Sequence, residues 1–86
     1  MYRPVFSRRA EKAFLDLPTN LARHVQQAIA NLSEEPRTHG TIKLDSAPVA
    51  QYRYRVGDYR ILFDIDDDQH VLEIVDIRKR DEQTYR

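Results

Sequence analysis

The sequence predicts an α+β domain, with two N-terminal helices packed on a mainly antiparallel sheet of four to five strands, in the order βααββββ. Three observations predict it. Apolar residues recur at helical spacing between Ala10 and Leu32. From residue 51 onward, Tyr, Ile, Val and Phe are concentrated in runs of strand length. Between two of those runs stands Gly57-Asp58, the dipeptide of a tight hairpin turn.

Each element has its own reason. Tyr2 to Phe6 alternates around Arg3 and Pro4 and reads as a first strand, with Pro4 favouring an edge because it cannot donate to a ladder. Ser7 is the N-cap of a short helix in which Ala10, Ala13, Phe14 and Leu17 share one face. Pro18 breaks that helix, and Thr19 or Asn20 is expected to cap the next. Leu21, Val25, Ala28, Ile29 and Leu32 form the second apolar stripe, which ends before Pro36 and Gly40. Thr41 to Leu44 reads as a short strand, and 45–50 with Pro48 as a loop. Strands follow over 51–56, 59–66 and 69–78. Asp67-Asp68 is a poorer turn signal than Gly57-Asp58 and leaves the last register open.

Composition sets bounds on function. The 86 residues suit one domain, 1–86. Val, Ile, Leu and Phe number 6, 6, 7 and 3, so 22 of 86 residues can build a core, more than a disordered chain carries. Without cysteine there are no disulfides, thiolate metal sites or thiol nucleophiles. No apolar run could span a bilayer and the N-terminus lacks a secretory h-region, so a cytoplasmic protein without membrane contact is expected. Asp66-Asp67-Asp68 with His70 reads as solvated turn chemistry, so no metal and no cofactor is expected.

The formal net charge of zero conceals segregation. Residues 1–63 hold ten Lys/Arg and six Asp/Glu, 64–76 hold six acids and no base, and 77–86 hold four bases and two acids (+4, −6, +2). Local potential, not net charge, decides whether an anion binds. If Gly57-Asp58 is a two-residue loop, Val56 faces Tyr59, Tyr54 faces Ile61, and Arg55 faces Arg60. Alternation then puts Arg53, Arg55 and Arg60 on one face, with Tyr54, Val56, Tyr59, Ile61 and Phe63 on the other. Like charges opposed across strands are destabilising, and an anionic ligand relieves them. Arginine also makes planar bidentate contacts to phosphate. The plainer reading is a solvated strand face. Arg78-Lys79-Arg80 and Tyr85-Arg86 extend the basic character into the tail.

The run from Tyr52 to Asp66, YRYRVGDYRILFDID, resembles the core of RelE/ParE-superfamily toxins. So do the opening strand followed by SRRAEKAFLDLP and the ending Ile77-Arg78-Lys79-Arg80 with Tyr85. The resemblance spans nearly the whole chain and is carried chiefly by the hairpin. It implies the toxin of a type II toxin–antitoxin pair, with a cognate antitoxin as partner, and it is nearer the RelE branch. That branch cuts mRNA in the ribosomal A site without a metal, by activating a ribose 2′-OH against the adjacent phosphate. The ParE branch blocks DNA gyrase instead.

By the same resemblance Arg60, Arg80, Tyr85 and Lys79 are the catalytic candidates, and Arg53, Arg55 and Arg78 the RNA-binding ones. Clustered cations suit the charge that develops on a phosphorane. The chain departs from relatives that carry lysine at the position of Arg53 and histidine at that of Lys79. Arginine stays protonated and is a poor base, which leaves Lys79 or Tyr85 for that role. A gyrase-inhibiting toxin and an inactive antitoxin-binding module of the same fold are the alternatives.

Overall fold

The computed structural model describes residues 1–45 and 49–79. Its elements are β1 (Arg3–Phe6), α1 (Arg8–Leu15), α2 (Thr19–Glu34), β2 (Thr41–Lys43), β3 (Tyr52–Val56), β4 (Tyr59–Asp66) and β5 (Val71–Lys79). The five strands form one mixed sheet in the order β1-β5-β4-β3-β2. β1 lies parallel to β5 and the remaining pairs are antiparallel. The α+β architecture is the expected one, and Pro4 does lie on an edge strand.

The helices cover one face of the sheet. Val25, Ala28, Ile29 and Leu32 of α2 are buried with Ala10 of α1 against Ile61, Phe63, Leu72, Ile74 and Ile77. Tyr52, Tyr54, Val56 and Tyr59 pack at the margin of that core, so the apolar face of the β3–β4 hairpin meets the helices as its alternation requires. Gly57 takes a φ of +58° at the hairpin, a left-handed conformation that costs glycine nothing. Val56↔Tyr59, Arg55↔Arg60 and Tyr54↔Ile61 pair as the two-residue loop dictates.

Two local expectations are corrected. Neither Thr19 nor Asn20 caps α2: Pro18 is the cap, with no side-chain hydrogen bond, and its carbonyl accepts from Ala22 N–H at 2.8 Å. Proline has no N–H to leave unsatisfied and its ring fixes φ, so the helix starts directly behind it. β5 begins at Val71 rather than residue 69, because the turn after Asp66 runs through His70, which sits at φ 54°.

Candidate functional site: an arginine row on the open sheet face

The face of the sheet away from the α2 core is built in rows perpendicular to the strands. Arg55 pairs with Arg60, and Arg60 in turn with Arg78. Neighbouring strands lie about 4.8 Å apart, so three guanidinium stems stand abreast over roughly 10 Å. Arg53, Leu62 and Asp76 form the next row. Asp64 and Glu73 occupy the one beyond, with Val5 beside Glu73 on β1. The face is therefore basic at one end and acidic at the other, about four residues or ~13 Å apart along β4.

Arg78 joins the row because of a bulge. The register of β4 with β5 shifts between Leu62 and Phe63, so Asp76 faces Leu62 while Ile74 faces Phe63 and Val75 is left over. Without that extra residue, strict alternation from Ile74 would turn Asp76 and Arg78 towards the helices and Ile77 away from them. The bulge is held from α1. Ser7, the N-cap, accepts from Ala10 N–H at 3.0 Å and donates its hydroxyl to the Val75 carbonyl at 2.6 Å. One hydroxyl thus starts the helix and fixes the phase of the last strand.

Asp76 is the buried charge of the site. It is 4% exposed; Oδ2 accepts from Arg78 Nε at 2.7 Å and Oδ1 from Ile77 N–H at 2.8 Å. A buried carboxylate so engaged orients Arg78 and offsets some of the repulsion within the row. Arg55 Nε donates to the Gly57 carbonyl at 2.9 Å, which ties this side chain to the turn. Arg53 Nε is buried without a hydrogen-bond partner among the described residues. Such a donor is costly to leave unsatisfied, about 1–3 kcal/mol.

Of the residues expected at the site, Arg53, Arg55, Arg60 and Arg78 come together on this face. Lys79 does not share it in register: it pairs with Tyr59, whose ring packs at the core margin on the other face. Arg80 and Tyr85 lie outside the described residues. Among the described residues no group of three His, Asp or Glu is placed to hold a metal ion.

Sequence reasoning missed the basic flank on α1. Arg8, Arg9 and Lys12 border an open cleft of about 460 Å³ between that helix and Asp76. The signal was present, since two arginines in the first turn of a helix oppose its dipole.

A second polar cluster closes the opposite end of the sheet. Asp67 accepts from both guanidinium nitrogens of Arg37, at 3.2 and 3.0 Å, and from the Tyr2 hydroxyl at 2.6 Å. Tyr2 stacks on His70 with ring centroids 4.9 Å apart, and Arg37 lies over the Tyr52 ring. The hydrogen bonds from Arg37, then from Tyr2, hold the Asp67 carboxyl below the ordinary carboxylate range. Donation to Asp67 raises the Tyr2 phenol above its usual value, and the same carboxylate raises Arg37.

The comparisons with known proteins agree with this fold. A family model described as the ParE toxin of the type II toxin–antitoxin system parDE matches residues 5–84, almost the entire chain. The chain belongs to the ParE toxin family. No curated protein sequence matches it. Among solved structures, the toxin fold matches the Mycobacterium tuberculosis RelBE2 toxin–antitoxin complex at a TM-score of 0.80 and 28% identity, over 92% of this chain and 98% of that one. It matches the archaeal RelE–RelB complex from Pyrococcus horikoshii at 0.80 and 27%, over 94% and 97%. The isolated Escherichia coli RelE toxin matches in fold at 0.82, with 22% identity, over 99% and 92%. The toxin is thus a member of the RelE/ParE superfamily with a RelE-like fold.

Proposed function

We propose that residues 1–86 form a single toxin domain that cleaves mRNA in the ribosomal A site of the cytoplasm, without a metal or other cofactor. The observation that carries this reading is the row Arg55–Arg60–Arg78. A base takes the proton of a ribose 2′-hydroxyl as its oxygen bonds to the adjacent phosphorus, the bond from phosphorus to the 5′-oxygen breaks, that oxygen takes up a proton, and negative charge peaks on the phosphorane between those events. Preorganised cations at that point lower the barrier more than they favour the ground state. Arg60 and Arg80 supply that charge, while Arg53, Arg55 and Arg78 hold the strand. Tyr85 stacks on a base or moves a proton, and Lys79 is the other candidate base.

The partner that restrains it is a cognate antitoxin. The related M. tuberculosis and P. horikoshii toxins were solved in toxin–antitoxin complexes. A groove of about 640 Å³ bordered by Pro4, Phe6, Phe14, Leu15 and Ile29 offers an apolar seat beside the helices. An antitoxin segment that folds on binding could fill it while acidic residues reach the arginine face.

A second reading is gyrase inhibition, favoured by the family model that matches. Mapping mRNA ends on ribosomes after induction separates the two. Cleavage at defined codons that disappears in Arg60→Ala supports the nuclease. Growth arrest with intact mRNA and inhibited supercoiling overturns it.

A further inference from the structure

α1 opens with Arg8 and Arg9, and Lys12 follows one turn later. Helix physics disfavours Arg8 and Arg9, while Lys12 stands in the last turn, where a cation suits the dipole. The N-terminal turn carries partial positive charge and repels cations, and Arg8 and Lys12 are like charges at i and i+4. Glu11, the acid of that first turn, stands at i+3 from Arg8 on a neighbouring part of the helix surface, and the described ion pairs do not join the two. All three cations are exposed, and the described ion pairs, Arg37–Asp67 and Arg78–Asp76, involve none of them.

Their placement is also directional. Together with Asp16 they border the cleft against Asp76, and Asp76 is the residue that grips Arg78 in the arginine row. Asp76 is already occupied by Arg78 and Ile77 N–H, and Asp16 stands at the C-terminal end of the helix. The α1 flank is thus continuous with the basic end of the sheet face and carries the same signature. In both places arginines stand where the isolated element is weakened by them, on α1 Arg8 and Arg9, which marks a surface shaped for a ligand rather than for folding.

We propose that α1 presents a second phosphate-binding surface, on which a single RNA strand crossing the arginine row continues and is held by Arg8, Arg9 and Lys12. This rests on the nuclease reading and extends its substrate contacts beyond the sheet. The contacts are to the backbone, so they add affinity and orientation without reading sequence.

The test is the salt dependence of binding by the full chain to a labelled single-stranded RNA oligonucleotide, followed by anisotropy. For single strands the slope of log K against log salt changes by about 0.7 for each phosphate contact. The triple variant Arg8→Gln, Arg9→Gln, Lys12→Gln is expected to lose about 2 from that slope if all three touch phosphate. Its thermal midpoint should stay close to the wild type, since the gain from removing two cations of the first turn is offset by the loss of one from the last. The charge-preserving variant Arg8→Lys, Arg9→Lys, Lys12→Arg should keep the wild-type slope. A wild-type slope in the glutamine variant overturns the inference and leaves the sheet as the whole RNA contact. Equal loss in both variants overturns it too, because shape rather than charge would be responsible. No measurable binding by the wild type overturns this surface, while the nuclease reading, which places cleavage on the ribosome, is judged separately by the mapped mRNA ends.

Discussion

The two ends of the sheet handle charge in opposite ways. At the Asp67 end opposite charges meet: one carboxylate takes two hydrogen bonds from Arg37 and one from Tyr2, and this joins the start of the chain, the α2–β2 loop and the β4–β5 turn. At the arginine end like charges face one another across three strands, and the buried carboxylate beside them, Asp76, holds Arg78 by an ion pair. The first arrangement serves the fold. The second works against pairing of the strands that carry it, which is the expectation for a surface completed by an anionic ligand. Surface ion pairs contribute little to stability, whereas a preorganised cation at a reacting phosphate contributes much to rate. Substitutions at the two ends should therefore fail in different assays.

The largest effect is expected at the basic end. Arg60→Ala and Arg80→Ala should each reduce ribosome-dependent mRNA cleavage on the order of 100-fold or more. The melting temperature of Arg60→Ala should barely move, since Arg60 is not among the residues of the buried core. Quantified cleavage products together with a thermal scan check both halves. Full cleavage by Arg60→Ala would sink the electrostatic role given to the row, and full cleavage by Arg80→Ala the role proposed for that residue.

Next come the candidate bases. If Tyr85 stacks on a nucleobase, Tyr85→Phe keeps most of the activity and Tyr85→Ala loses about 1–3 kcal/mol of binding. If its hydroxyl carries a proton, both variants are comparably damaged. Lys79→Ala is the companion, and a displaced pH–rate profile would identify the lysine as the base. Single-turnover cleavage across pH reads all three.

Asp76 is where the two kinds of assay should coincide. Asp76→Ala leaves Ile77 N–H without its partner and releases Arg78, at a cost of roughly 1–3 kcal/mol in urea denaturation. It should also raise KM, because Arg78 is no longer held in the row. A stability loss with unchanged KM would mean that the carboxylate serves the strand alone.

The smallest effect is expected at the Asp67 cluster, and it should appear as pH dependence. The Asp67 carboxyl titrates below its unfolded value, so its contribution is present above the ordinary carboxylate range and is lost as pH falls through the lower, folded value. The Tyr2 phenol is raised, so its contribution holds in neutral solution and is lost as pH climbs through the higher folded value. In Asp67→Asn the acid-side slope of the unfolding midpoint should flatten while mRNA cleavage stays at the wild-type level. Reduced cleavage would show that the two ends are coupled.

Much of this was legible in the residues. The helical period of Ala10 to Leu32, the alternation after residue 51 and the Gly57-Asp58 turn sufficed for the fold class and for the pairing of Arg55 with Arg60, because period and turn length are local properties. Local rules could not reach Arg78. Its face depends on one extra residue, Val75, and no dipeptide announces a bulge pinned by a serine 68 positions earlier in the chain. The same holds for α1. Its two leading arginines are visible as a breach of helix electrostatics, but only the packing of that helix along β5 sets them beside Asp76. The sequence by itself determined which elements form and which charges stand one strand apart, since both follow from the period of the chain. The tertiary structure decided which charges share a face across distant segments, since that depends on register, bulge and docking, none of which is a local property.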